Sequence, residues 1–138
     1  MLKLKSDAFQ NGRIETRYGN LELEENMKHG IPQTSFPLAW EGAPPGTQSF
    51  AILFIDYDDV KDEGFPFIHW LACGIPAAKK GLPENASRDN PDFYQGRNSW
   101  CIPFGPYKEI PEEYSLHFGG PAPEYAHEYD VWLSALVY

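Results

Sequence analysis

Residues 118–138, Phe-Gly-Gly-Pro-Ala-Pro-Glu-Tyr-Ala-His-Glu-Tyr-Asp-Val-Trp-Leu-Ser-Ala-Leu-Val-Tyr, decide the fold. The first half is a stiff loop. Gly119 and Gly120 open backbone angles closed to other residues, while Pro121 and Pro123 each fix a torsion and remove an N–H. The second half alternates as a strand. Tyr129, Val131, Leu133, Ala135 and Val137 share one face, and Trp132, Leu136 and Tyr138 lie on the other. Apolar residues on both faces predict a central strand. His127 and Tyr129 are two apart and so point to the same side. The loop therefore delivers an imidazole and a phenol together at a loop–strand junction, where binding residues concentrate.

Working outward, Ser49-Phe50-Ala51-Ile52-Leu53-Phe54-Ile55 is a continuous apolar run, the pattern of a strand covered on both faces. It ends at Asp56-Tyr57-Asp58-Asp59. Residues 60–64 are charged and loop-like, and residues 65–74 form the next strand, carrying His69-Trp70-Leu71-Ala72-Cys73. Cys73 within that run reads as a core residue, and Gly81-Leu82-Pro83 as a turn. Near the N-terminus Leu2 and Leu4 alternate with Lys3 and Lys5, and Asn11-Gly12 is a turn signal. Residues 19–30, with Glu22, Glu24 and Glu25, read as an acidic surface segment in which His29 is solvated. Pro37 introduces a strand with Trp40 buried. Residues 85–114 hold turn formers such as Asn90-Pro91 and Gly96-Arg97-Asn98 without periodicity, and a connection this long is often functional.

Composition narrows the classes. A chain of 138 residues suits one domain, here 1–138. Its 42% hydrophobic and 15% aromatic content supports a core, and 13 Pro with 12 Gly favour short strands over long helices. The net charge of −9, with no Lys/Arg run, excludes a large nucleic-acid surface. Two cysteines, Cys73 and Cys101, without a CxxC pair give no zinc framework and read as free thiols. No signal region or membrane-length apolar stretch is present, so a cytoplasmic protein, with peripheral membrane contact at most, is the expectation.

Three pieces carry possible chemistry, all at strand ends: Asp56 and Asp58, then His69, then His127 with Tyr129. Each has a plainer reading, as turn acids, a hydrogen-bonded core histidine, a loop brace and a core aromatic. Spacing alone leaves these alternatives open.

The same residues resemble a known family. Gly-Pro-x-Pro-x-x-x-His-x-Tyr feeding a hydrophobic strand is similar to the second signature of the phosphatidylethanolamine-binding proteins, which include the bacterial Raf-kinase-inhibitor-like branch. Asp56 and Asp58 match the acids of that family's Asp-Pro-Asp-Ala-Pro signature, His69 its strand histidine, and Gly120, Pro121, His127 and Tyr129 its second signature. Residues 35–42 and 44–47 resemble the bacterial branch as well.

The resemblance implies a mainly β fold, a Greek-key β-sandwich of two packed sheets with few short helices and without the family's C-terminal helix. It implies a pocket for a small anion or phospholipid head group such as phosphate or phosphorylethanolamine, bound by Asp56, Asp58, His69, Gly120, Pro121, His127 and Tyr129. No cofactor and no metal are expected. A protein partner such as a kinase and a homodimer are implied by resemblance only. Two histidines and Tyr129 can donate to an oxyanion, backbone N–H groups at Gly119-Gly120 add donors, and the carboxylates can meet an amine. The alternatives are hydrolysis of a small ester by a His/Asp/Tyr pocket and a His/Asp metal site. The chain also departs from the pattern. Tyr57 and Val60 replace both prolines, Asp59 adds a third acid where the family has Ala, and Glu128 stands where the family has Arg.

Overall fold

The computed structural model describes residues 1–89, 91–103 and 105–138; Asn90, read above as a turn former, lies outside the described residues. In chain order the strands are β1 (Lys3–Lys5), β2 (Phe9–Gln10), β3 (Arg13–Ile14), β4 (Met27–Lys28), β5 (Ile31–Pro32), β6 (Leu38–Glu41) and β7 (Ser49–Asp56). One helical turn, α1 (Val60–Glu63), precedes β8 (Phe67–Pro76), β9 (Gly81–Leu82), β10 (Tyr94–Gln95) and β11 (Tyr129–Leu136). A four-stranded antiparallel sheet runs β10-β8-β7-β11, a three-stranded one runs β1-β6-β9, and β2-β3 and β4-β5 are separate hairpins. The fold is mainly β, as expected.

The hairpins follow from turn chemistry. Asn11 and Gly12 have φ of 52° and 73°, the paired left-handed angles of a two-residue turn that matches strand twist. His29 and Gly30, with φ of 51° and 75°, do the same between β4 and β5. The His29 ring is exposed and lies 4.8 Å from that of Tyr114.

The two sheets pack across an aromatic core. From β7, Phe50, Ile52 and Phe54 point inward; Trp40 comes from β6, Trp70 from β8, and Phe36, Tyr18 and Phe118 from the connections. Phe36 sits edge-on to Phe9, Tyr18, Phe54 and Phe118, with centroids 5.1–6.1 Å apart. Burying each such ring contributes about 1.5–3 kcal/mol, and each edge-to-face pair about 0.5–1.5 kcal/mol more.

Several expectations are corrected. β11 is an edge strand, not a central one: Tyr129, Val131, Leu133 and Ala135 pack on the core, while Trp132 on the other face is 57% exposed. Its second apolar face reflects an uncovered side of the sheet. Cys73 is exposed, because strand period puts Ala72 inward and turns Cys73 out. Residues 60–63 are helical, stopped by Gly64 at φ 85°, and Gly81-Leu82 is a short strand on β6. Glu22 is buried rather than on the surface, since its carboxylate accepts the backbone N–H groups of Gln33 and Thr34. Among the described residues, no helix is long and apolar enough to cross a membrane.

One detail of the ladder positions the site. β7 and β8 pair Phe54 with Trp70 but Ile55 with Ile68, so His69 has no opposite residue on β7. An extra residue of this kind bends the strand and re-aims its side chain.

Candidate functional site

Three strand ends meet at one small cavity. Asp56 ends β7, Asp59 opens α1, Phe67 and His69 begin β8, Tyr129 begins β11, and His127 precedes it by two. Trp100, Tyr107, Ala122 and Pro123 complete the wall. The volume is about 60 Å³. That is room for a few waters or one small oxyanion, and not for a lipid tail.

His69 is 3% exposed. Its Nδ1 lies 2.7 Å from the Gly119 carbonyl, which can only accept, so Nδ1–H donates. Burial pushes its pKa down to about 4, leaving a neutral ring with a lone pair on Nε2. At neutral pH His69 is therefore an acceptor toward the cavity, which corrects the expectation that both histidines donate to an oxyanion.

His127 is held differently. Its Nδ1 lies 2.6 Å from Asp56 Oδ2, and both side chains are 3% exposed. Asp56 Oδ1 accepts the backbone N–H groups of Asp58 at 2.8 Å and Asp59 at 3.2 Å. The far nitrogen of His127, Nε2, is buried with no hydrogen-bond partner, and Asp62 Oδ2 lies 3.6 Å from it. The Tyr129 hydroxyl is likewise buried and unpartnered. Burial first, then the charge of Asp56, push its pKa well above the ordinary phenol range, so it remains a donor. The register opposes Tyr129 to Asp56.

The rim is acidic. Burial first, and then the neighbouring Asp56 and Glu63, push the Asp59 carboxyl up to about 6. Tyr107 donates to Glu63 at 2.7 Å, and Tyr125 donates to Asp62.

Of the residues singled out from sequence, Asp56, His69, His127 and Tyr129 line the cavity; Asp58, Gly120 and Pro121 do not. Asp58 Oδ2 accepts the Glu128 N–H at 3.0 Å, which lowers its pKa and ties the turn after β7 to the entry of β11. Gly120 donates its N–H to Pro32, and Gly119 donates to the His69 carbonyl, so neither is free to meet an anion. Neither glycine has positive φ; both serve close approach. A Cβ on Gly119 would stand 2.4 Å from the Trp100 ring, and one on Gly120 2.4 Å from the Tyr18 carbonyl oxygen. Glu128 is exposed, as its strand position predicts. No pattern in the sequence marks Phe67, Trp100, Tyr107, Ala122 or Pro123 as cavity residues, and Asp59 stands out there only as a charge. The unperiodic connection of residues 85–114 was the available signal for Trp100 and Tyr107.

Comparison with known proteins agrees over nearly the whole chain. A family model described as "Phosphatidylethanolamine-binding protein" matches residues 5–137. The YxkA protein of Bacillus subtilis is 33% identical over 127 residues, covering 91% of this chain and 75% of YxkA. YbcL of Escherichia coli is 31% identical over 134 residues, covering 91% of this chain and 68% of YbcL. The crystal structure of YbcL superposes with a TM-score of 0.70 at 26% identity, covering 99% of this chain and 77% of that one. A Chlamydia trachomatis homologue, CT736, gives a TM-score of 0.71 at 23% identity, covering 99% and 76%, and supports the fold alone.

Proposed function

The chain belongs to the phosphatidylethanolamine-binding protein family, and from that premise we propose that its cavity receives the charged end of a small phosphorylated head group. One observation carries the reading: two buried polar atoms, His127 Nε2 and the Tyr129 hydroxyl, line the cavity without hydrogen-bond partners. Buried polar groups without partners are costly, and a ligand oxygen between them would satisfy both. Asp56, 2.6 Å from Nδ1, fixes the imidazole ring so that Nε2 is presented to the cavity.

The acidic rim shapes the choice of ligand. Asp59 and Asp62 repel a bare dianion but attract an ammonium group. A zwitterion such as phosphorylethanolamine, phosphate inward and amine at the rim, fits both signs. Ester hydrolysis through a Ser, Thr or Cys nucleophile draws no support, because the cavity wall holds none of these among the described residues.

Calorimetric titration at pH about 6.5, near the ordinary histidine pKa, tests this. Phosphorylethanolamine is expected to bind saturably and more tightly than phosphate, and binding is expected to vanish in folded His127→Ala. Heat of binding that is unchanged in that variant, or absent from the wild type, would remove the reading.

A further inference from the structure

A second cavity, of about 390 Å³, lies away from the three strand ends and shares no lining residue with the first. It opens between the β4–β5 hairpin, the turn at residues 85–88 and the helical turn Glu112–Ser115. Its size falls in the range of small-molecule sites, about 300–1,000 Å³.

Arg88 lines this cavity and is underused by the fold. Arg17 and Arg97 are exposed, and each pairs with a carboxylate. Arg88 is half-buried and makes no ion pair among the described residues. Of its five N–H donors, Nη2 reaches the Phe118 carbonyl at 3.2 Å, and the buried Nε has no acceptor. Burial pushes its pKa down, against the pull of Glu22, yet a guanidinium stays charged. A charge taken from water normally has a partner. Glu22 does not close the gap. Its Oε2 accepts the N–H groups of Gln33 and Thr34, both of which line the cavity, and its Oε1 is buried without a hydrogen bond. His117 supplies no countercharge, because burial and then the Arg88 charge push its pKa down.

We propose that this cavity binds a small amino carboxylate of the free amino-acid type, its carboxylate on Arg88 and its ammonium at the rim acids Glu25 and Glu113. A guanidinium and a carboxylate match in shape and join through two parallel hydrogen bonds. Glu25, Glu113 and Lys28 line the cavity and are exposed. The wall therefore carries two positive and two negative side chains, Lys28 and Arg88 against Glu25 and Glu113. A ligand carrying one charge of each sign balances them. A bare dianion would meet both rim acids, with Glu22 behind the wall. The amides of Asn26 and Asn85 complete a polar lining that suits such a ligand and not a lipid tail. The proposal does not rest on the head-group reading, which concerns the other cavity.

The test titrates each standard amino acid, singly and into the millimolar range, against the full chain by calorimetry. The hits are repeated on Arg88→Gln, which keeps a donor for Phe118, and on the exposed double variant Glu25→Gln/Glu113→Gln. Cooperative thermal unfolding establishes that each is folded; should Arg88→Gln fail, the double variant decides. The expected result is saturable one-to-one binding of at least one amino acid, weakened about tenfold or more in both variants. Acetate, which lacks the ammonium, is expected to bind the double variant no more weakly than the wild type. The amino acid is expected to stay bound in excess phosphorylethanolamine. Absence of saturable wild-type binding, affinity undiminished in a folded variant, or displacement by phosphorylethanolamine overturns the proposal. Titration of phosphorylethanolamine alone fails or succeeds separately.

Discussion

The inner wall and the outer rim of the cavity use the same side chain to opposite ends. On the wall, His69 is walled in by Phe54 and Phe67, donates to Gly119 and is held neutral by burial. On the rim, His127 holds its Nδ1 against the Asp56 side chain and faces further acids. The wall is built by packing and close backbone approach, the rim by charge. A histidine's role therefore cannot be assigned from its presence at a strand end; what its Nδ1 touches decides it.

The largest expected effect separates a rim that is held by one carboxylate from one held by many. Asp56→Ala leaves two backbone N–H groups and His127 without their acceptor, and should lower unfolding free energy by about 3–5 kcal/mol in denaturant titration. A loss under 1 kcal/mol would mean that the rim is held from elsewhere.

The next effect concerns acid. The His69 pKa falls from 6.5 to about 4 on folding, so its stabilising contribution is complete above pH 6.5 and is lost as pH falls toward 4. Unfolding measured across that window should show His69 accounting for a fall of about 3 kcal/mol. His69→Asn, which keeps a donor for Gly119, should flatten that limb. On the wall, Gly119→Ala forces a Cβ against Trp100 and should cost about 1–3 kcal/mol by thermal unfolding.

The smallest effect has the opposite sign. The Asp59 pKa rises from 3.8 to about 6 on folding, so ionised Asp59 weakens the fold above pH 6, and the penalty is relieved as pH falls toward 3.8. Asp59→Asn should stabilise the protein at pH 7.5 by less than about 1 kcal/mol after solvent screening, and change nothing at pH 3.5. Destabilisation at pH 7.5 would place Asp59 with the wall rather than the rim.

Much of this was legible in the residues. The continuous run of Ser49–Asp56 and the alternation after Tyr129 gave the two strands that bring Asp56 and Tyr129 together. The strand ends could be read, but their environments could not. Periodicity does not show that Gly119 and Gly120 spend their N–H groups inside the fold, nor that Asp58 serves Glu128 instead of the cavity. It placed Cys73 in the core because an apolar run does not reveal which face lies open. Trp100 and Tyr107 escaped because irregular segments have no period to read, and the shift that isolates His69 is a property of pairing between strands.

The pairing of β7 with β11 also has a kinetic consequence. Asp56 and His127 are 71 residues apart in sequence, and their meeting requires closure of nearly the whole intervening chain. Long-range antiparallel pairing bears its loop entropy before any contact offsets it, and is slow for that reason. Local hairpins such as β2-β3 can form early, whereas the cavity exists only once the last strand has docked. During refolding, ligand competence would trail the early growth of secondary structure, so the site itself serves as a clock for the final step.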